Sequence, residues 1–170
     1  QQWEAGVTWR PEGRRISAFA ALYHLREKNR KTTDPSNPLN SLQIGEVTIK
    51  GLEAEMTASL ARHWDWTLGY AYADATISRS NAGDQGQRVA GVPRHTASSW
   101  LMHRFAAQGR GGWTVGAGVR YTGSQWTGTP AIDTPSVLLA DAMVAYDAGD
   151  WRVALNINNL TDKVNITQCL

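Results

Sequence analysis

Gly51-Leu52-Glu53-Ala54-Glu55-Met56-Thr57-Ala58-Ser59-Leu60-Ala61-Arg62-His63-Trp64-Asp65-Trp66-Thr67-Leu68-Gly69-Tyr70-Ala71-Tyr72 is the stretch from which the rest of the chain can be read. Leu52, Ala54, Met56, Ala58 and Leu60 share one parity; Glu53, Glu55, Thr57 and Ser59 share the other. Period two puts the two sets on opposite faces of a strand, one apolar and one polar. Leu68, Tyr70 and Tyr72 oppose Gly69, Ala71 and Ala73 in the same way, so residues 67–78 form a second strand. Only residues 62–65 separate the two, and Trp64 and Trp66 sit in and just after that turn.

The same alternation recurs outward in both directions, giving eight strands. Trp3, Ala5, Val7 and Trp9 oppose Gln2, Glu4, Gly6, Thr8 and Arg10. Residues 15–27 set Phe19, Ala21, Tyr23 and Leu25 against Ala18, Ala20, Leu22 and His24, with no clear apolar side. Residues 43–61 and 67–78 follow. In 95–107 Trp100 and Met102 compete with Leu101 and Phe105 for the apolar face. In 113–126 Val115, Ala117, Val119 and Tyr121 oppose Thr114, Gly116, Gly118, Arg120 and Thr122. In 137–147 Leu138, Ala140, Ala142, Val144 and Tyr146 oppose Leu139, Asp141, Met143 and Ala145. In 150–160 Val153, Leu155 and Ile157 oppose Arg152, Asn156 and Asn158. No stretch holds a 3.6-residue period with helix caps.

The connections alternate in length. Residues 11–14, 62–65, 108–112 and 148–150 are short; 28–42, 80–93 and 127–135 are long, and a fourth long loop opens after Asp162. An outer-membrane β-barrel has this rhythm, with tight periplasmic turns and longer extracellular loops. Trp9, Trp64, Trp66, Trp113 and Trp151 all adjoin short turns, as one aromatic girdle at the headgroup level would. On this reading Leu52, Ala54, Met56, Val115, Val119, Val153, Leu155 and Ile157 face lipid, and Glu53, Glu55, Arg120, Asn156 and Asn158 face the lumen. The expected class is all-β: an antiparallel transmembrane β-barrel wall of about eight strands in the bacterial outer membrane.

Composition agrees. The 170 residues suit one domain, and a net charge of +2 with no basic tract argues against nucleic acid as a partner. No apolar run approaches the roughly 20 residues of a transmembrane helix. A negative mean hydropathy is compatible with a barrel, in which only alternate residues meet lipid. Gln1-Gln2-Trp3-Glu4 reads straight into a strand, so an exported chain of this kind is either mature or a fragment.

Enzymatic constellations are absent from the reading. His24, His63, His95 and His103 have no metal-ligand spacing, and Cys169 stands alone. Glu53 and Glu55 are expected in the lumen, paired with Lys50 or Arg10. Gly116-Ala117-Gly118 lacks the third glycine and helix of a dinucleotide loop. Asn159-Leu160-Thr161 and Asn165-Ile166-Thr167 match a glycosylation sequon that a bacterial barrel has no use for. Arg26, Lys28, Arg30 and Lys31 make 26–34 a basic loop, either solvated or in contact with lipopolysaccharide phosphates or an anionic ligand. Residues 34–38 and 81–86 read as loop tips.

Gln2-Trp3-Glu4-Ala5-Gly6-Val7, Gly45-Glu46-Val47 with Gly51-Leu52-Glu53-Ala54-Glu55, and Tyr70-Ala71-Tyr72-Ala73-Asp74-Ala75 resemble successive barrel strands of TonB-dependent siderophore receptors. So do Val92-Pro93-Arg94-His95-Thr96-Ala97-Ser98, Gly116-Ala117-Gly118-Val119-Arg120-Tyr121 and Asn156-Ile157-Asn158-Asn159-Leu160-Thr161-Asp162-Lys163. The similarity covers the chain in order and is strongest to the ferrichrome and ferrioxamine branch. It implies a 22-stranded barrel around a plug, of which this chain is a C-terminal part without the plug, coupling box, earlier strands or last strand. It further implies a ferric siderophore as transported ligand, no cofactor, no covalent chemistry, and energy from the TonB complex through a segment outside this chain. Outer-membrane lipid and lipopolysaccharide would surround the wall. Cys169 would lie in the last extracellular loop and pair with a cysteine further on. Trp126, Tyr72 and Arg88 are the candidate ligand contacts, at strand ends and in the 80–93 loop. Otherwise Trp126 belongs to the outer girdle and Arg88 is solvated. A complete eight-stranded barrel with a structural or adhesion role is the alternative, and a soluble lipocalin-like binder a third possibility.

Overall fold

A computed structural model of the chain describes residues 1–34, 36–105, 111–129 and 133–164. Ten strands are present among them: β1 Gln2–Trp9, β2 Ile16–Asp34, β3 Asn37–Ala61, β4 Trp64–Arg79, β5 His95–Arg104, β6 Gly111–Thr122, β7 Gln125–Trp126, β8 Asp133–Thr134, β9 Val137–Ala148 and β10 Trp151–Ile157. Eight form one antiparallel meander in the order β1-β2-β3-β4-β5-β6-β9-β10, and β7 pairs with β8 in a small hairpin between β6 and β9.

The ladders carry one outer face unbroken across all eight strands. Directly paired residues point to the same side of a sheet. Val7, Ala20, Ala54, Tyr70, Ala97, Tyr121 and Leu138 lie on one such row, and Val115, Val144 and Leu155 on another. Large apolar side chains on this face are left uncovered: Val153 is 69% exposed and Val7 66%. A soluble sheet would bury such a face against a second layer. Here the backbone groups between neighbouring strands are satisfied by the ladders, as lipid requires.

The five tryptophans beside short turns all stand on this face. Their positions drift steadily across the sheet. Trp9 lies on the row of Val119, whereas the Ala148–Trp151 pair lies on the row of Gly111, eight residues lower along β6. Eight residues at ~3.3 Å against seven strand spacings of ~4.8 Å give a tilt of about 38°. Transmembrane barrels tilt by ~35–45°. If the Trp line marks one membrane surface, the register alone supplies the tilt of a barrel.

A second aromatic line closes the upper edge. Trp3 stacks on His24 at 5.4 Å between centroids, Tyr72 lies 5.2 Å from His95, and the Tyr70 hydroxyl is 2.9 Å from His95 Nδ1. Tyr121 completes it on β6. Trp113 and Tyr121 are eight residues apart on one strand, which spans ~26 Å along β6.

Aromatics on the opposite, lumenal face are accommodated by glycine. Tyr23 lies directly over Gly51, Phe19 over Gly6, and Trp100 over both Gly116 and Gly118. A methyl group at any of the four glycines would collide with the ring above it. This resolves the two strands whose parity was undecided. On β2 the outer set is Ala18, Ala20, Leu22 and His24; on β5 it is Ala97, Ser99, Leu101 and His103. It also accounts for Gly116-Ala117-Gly118 as a bed for Trp100.

Several boundaries depart from expectation. Residues 28–42 are not a loop: β2 and β3 run on as a ladder to Asp34 and Asn37, with bulges around Asn29, so the basic segment 26–34 is strand. Charged side chains hide a strand from a pattern search, yet above the membrane they are solvated and leave the ladder intact. The Asp34 carboxylate accepts from the backbone N–H and hydroxyl of Ser36, which hold its pKa below the usual range. Residues 111 and 112 begin β6, while 106–110 lie outside the described residues, as does Cys169. The 62–65 turn narrows to Arg62 and His63, and His63 takes the left-handed position at φ 72°.

β1 and β10 end the sheet and do not pair with each other. Eight strands with two edges left open cannot satisfy those edges in lipid. The isolated 170-residue chain, refolded into detergent or bilayers, is therefore expected to aggregate. A heat-modifiable, protease-resistant monomer would contradict this and would favour the closed eight-stranded barrel.

Candidate ligand vestibule and lumenal wall

The lumenal face is polar in layers. In the middle of the wall, Glu53 and Glu55 line a shallow recess with Thr96, Ser98, Thr122 and Arg120. Neither carboxylate has an ion-pair partner among the described residues. The expected pairing with Lys50 or Arg10 does not form: Lys50 differs in parity from both glutamates and points outward, and the Arg10 guanidinium donates to the Ser17 hydroxyl at 3.2 Å. Toward the short turns the charge reverses. Arg10, Arg14, Arg15 and Arg104 surround Asp65, which also accepts from Ser59 and is ion-paired with Arg104 at 2.5 Å.

Arg120 and Asp141 make the most fully bonded lumenal pair. Both guanidinium donors reach the carboxylate, Nε to Oδ2 at 2.6 Å and an Nη to Oδ1 at 3.0 Å. Asp141 also accepts the backbone N–H of Asn159 at 2.9 Å. Asn159, at φ 54°, closes a turn through its amide: its nitrogen donates to the Lys163 carbonyl and its oxygen accepts from the Lys163 N–H. One buried carboxylate thus fixes both a lumenal arginine and the start of the last long loop. Bidentate geometry makes this pair both stronger and more directional than a single ionic contact. The sequon at Asn159 is this turn.

On the long-loop side, the bulge at Asn29 separates the basic run into two groups. Arg26 and Lys28 stand on the outer face, paired across from Thr48 and Glu46. Beyond the bulge, Arg30 faces the same side as Gly45. Arg30, Lys31, Thr32, Arg79, Ser80 and Asp84 then border a recess of about 250 Å³ whose floor is Val47, Ile77 and Val89. Thr32 is fixed there by the Ser80 hydroxyl at 3.1 Å, and it accepts the Asn81 N–H at 3.0 Å. An apolar floor with three cations on its rim, shared with the carboxylates of Glu46 and Asp84, can hold an apolar scaffold that carries anionic or carbonyl oxygens.

The three residues singled out from sequence are not gathered in one place. Trp126 sits in β7, half-buried, and its carbonyl accepts the Gly91 N–H at 2.8 Å, joining the 80–94 and 123–136 loops. Tyr72 belongs to the upper aromatic line on the outer face. Arg88 bridges Thr76, a row that also points outward. Arg79 was not singled out from sequence, and Arg30 was read there only as one cation of the basic 26–34 run. The lumenal side of Arg30 follows only from the bulge at Asn29, which shifts its parity, and Arg79 reaches the recess at a second register shift, where it pairs with Glu46.

With this geometry the comparisons with known proteins are decisive. Residues 1–160 match the family model described as TonB dependent receptor-like, beta-barrel. The chain belongs to this family. It is 34% identical over 176 residues to the ferrioxamine B receptor of Salmonella typhimurium, covering 99% of this chain and 25% of that protein. It is 36% identical over 177 residues to the ferrichrome outer membrane transporter/phage receptor of Escherichia coli, covering 99% of this chain and 23% of that protein. The chain therefore spans about a quarter of the length of these two curated relatives. The ferric preacinetobactin receptor of Acinetobacter baumannii shares the fold at a TM-score of 0.80 and 20% identity, over 96% of this chain and 25% of that one. The TonB-dependent receptor wall is thus an outer-membrane β-barrel segment, from a family of receptors and transporters.

The Asp141 clamp gives a direct check in the full-length receptor. Asp141→Asn keeps the shape and replaces charge-assisted bonds with neutral ones, so stability should fall by about 1–3 kcal/mol. Thermal unfolding measures the loss, and trypsin should nick after Lys163 faster than in the parent. Unchanged stability and unchanged nicking would remove the clamp.

Proposed function

We propose that this chain forms one wall of a receptor that binds ferric siderophores of hydroxamate type at its extracellular mouth and passes them inward, driven by the TonB complex. The observation that supports this most is the recess bordered by Arg30, Lys31 and Arg79 on the long-loop side. A ferric hydroxamate complex presents apolar arms and a shell of partly negative oxygens. The Val47, Ile77 and Val89 floor suits the arms, and the arginines suit the oxygens. Trp126 adds an aromatic surface between two loops. The names of the Salmonella and Escherichia relatives point to the same ligand class.

The wall binds and orients; it performs no bond chemistry. Ligand selection rests on the cations at the rim, and the lumenal carboxylates below provide the opposite charge for whatever fills the barrel interior. Tyr72 and Arg88 have no part in this ligand site, because both point to the outer face.

The test is iron uptake by a receptor-null strain carrying the full-length receptor, with radiolabelled ferrichrome and ferrioxamine B as probes. Arg30→Glu combined with Arg79→Glu removes two charge-assisted hydrogen bonds, and each of these is worth at least ~10-fold in affinity. Half-saturation should rise by that factor or more for one of the two ligands, with a smaller rise for Trp126→Ala. Identical uptake of both ligands in all variants would eliminate the recess as the binding site.

A further inference from the structure

Among the described residues, three buried side-chain atoms have no hydrogen-bond partner: Asp65 Oδ2, His103 Nδ1 and Asp84 Oδ1. Such atoms are rare in native structures, and a carboxylate oxygen is the costliest kind to leave without a donor. Two of the three have neighbours that account for them. Asp65 Oδ2 lies against the Arg104 guanidinium. The His103 ring packs on Trp64 and Phe105, at 4.3 and 4.5 Å between centroids. Asp84 has neither a cation nor a ring. It borders the recess over Val47, Ile77 and Val89, and no ion pair among the described residues includes it.

The loop around Asp84 is tied down on both sides. Gly83 and Gly86 turn it at φ 80° and 84°, a region that glycine enters without strain. The Gly86 N–H donates to the Ile77 carbonyl at 2.8 Å, and the Gln87 N–H to the Asp84 carbonyl at 3.0 Å. Val89 then joins Ala75 at 2.9 Å, and the Asn81 N–H reaches Thr32 across the recess. These bonds use the backbone and leave the Asp84 carboxylate to the recess. The other acid of the rim is already engaged, because Glu46 accepts from Arg26 and Ser78. Arg30, Lys31 and Arg79 make no ion pair among the described residues. One rim thus carries three cations and one unsatisfied carboxylate that do not neutralise each other.

Size and chemistry together define what completes it. At about 250 Å³ the recess is smaller than the roughly 300–1,000 Å³ of a pocket for a whole drug-sized ligand, so it takes one arm of a larger complex. An apolar floor suits a methylene stem, and an unpaired carboxylate suits a cation at its end, as a lysine side chain lays its stem on apolar surface and keeps its charged head on a polar partner. The rim arginines remain for the oxygens of the iron-binding groups. We infer that Asp84 is a specificity-determining residue that pairs with a primary ammonium at the end of an alkyl arm of the siderophore, so that the recess selects amine-terminated linear hydroxamates over those without an amine. This rests on the ferric-hydroxamate reading above and narrows its ligand class.

The experiment measures equilibrium binding of three ferric ligands to the full-length receptor in detergent. Ferrioxamine B ends in a pentamethylene-ammonium arm. Its N-acetyl derivative keeps the iron shell and loses the charge, and ferrichrome has no amine. A charge-assisted hydrogen bond to a carboxylate is worth about tenfold or more, so the parent should bind ferrioxamine B at least ~10-fold tighter than the acetylated form. Asp84→Asn should erase that preference by weakening ferrioxamine B alone, with the other two affinities unchanged. Its thermal unfolding should stay the same or move up, because the carboxylate oxygen gives up no bond within the protein. Equal parent affinity for ferrioxamine B and its acetylated form overturns the assignment. An equal loss for all three ligands in Asp84→Asn also overturns it, by showing that the residue shapes the recess instead of reading the ammonium. A lower unfolding temperature in that variant overturns it too, by giving the carboxylate a structural partner. A parent that binds none of the three contradicts the hydroxamate reading itself, and the arm assignment falls with it.

Discussion

Lipid offers no partner for a backbone N–H or C=O, and the rest of this structure depends on that constraint. A strand crossing it must pair on both sides along its whole length, so the chain spends its residues on eight long antiparallel strands joined as a meander. Pairing on both sides leaves only the side chains to choose between lipid and lumen, and the period of two then separates them. The outer face collects Leu52, Ala54, Met56, Val119 and Leu155; the lumenal face collects Glu53, Glu55, Arg120 and Asn156. The tilt follows from the same ladders, because the line of tryptophans descends one side of the register as the strands lean.

The inner side obeys a different rule. Barrel curvature crowds lumenal side chains, and Ala21 and Ala145 there are almost fully buried. Large rings fit only where a neighbour has no side chain. Tyr23, Phe19 and Trp100 each lie over glycine, and rings packed on glycine shield an otherwise bare backbone. Charge is also stratified along the barrel axis: arginines near the short turns, carboxylates midway, and cations again at the long-loop mouth. Asp141 ties that wall to the last loop, so ligand-facing segments are carried on the rigid ladder.

Much of this was legible in the residues. The eight strands of the meander, their order and both faces of the membrane-crossing parts of β1, β3, β4, β6, β9 and β10 follow from alternation, because there each strand has one face nearly free of polar groups; the β7–β8 hairpin, read from sequence as the end of one strand and a loop, does not. The girdle follows from tryptophans beside short turns. β2 and β5 were ambiguous because Phe19, Tyr23 and Trp100 are lumenal aromatics, which hydropathy assigns to lipid; only the glycines across the ladder reveal them. The site was less legible still. Residues 28–42 lost their strand signal to charge, and a single bulge at Asn29 reversed the parity on which Arg30 depends. Arg88 has the sequence character of a loop cation facing the ligand, whereas its bridge to Thr76 extends the line of β5 and turns it outward.

The most direct test is a nitroxide scan along β3 of the full-length receptor in phospholipid bilayers, one label at each position from 52 to 60. Labels at 52, 54, 56, 58 and 60 should relax with dissolved oxygen, which concentrates in lipid, and those at 53, 55, 57 and 59 should not. A reversed alternation, or none, would contradict the assignment of the apolar face to the membrane and the polar face to the lumen.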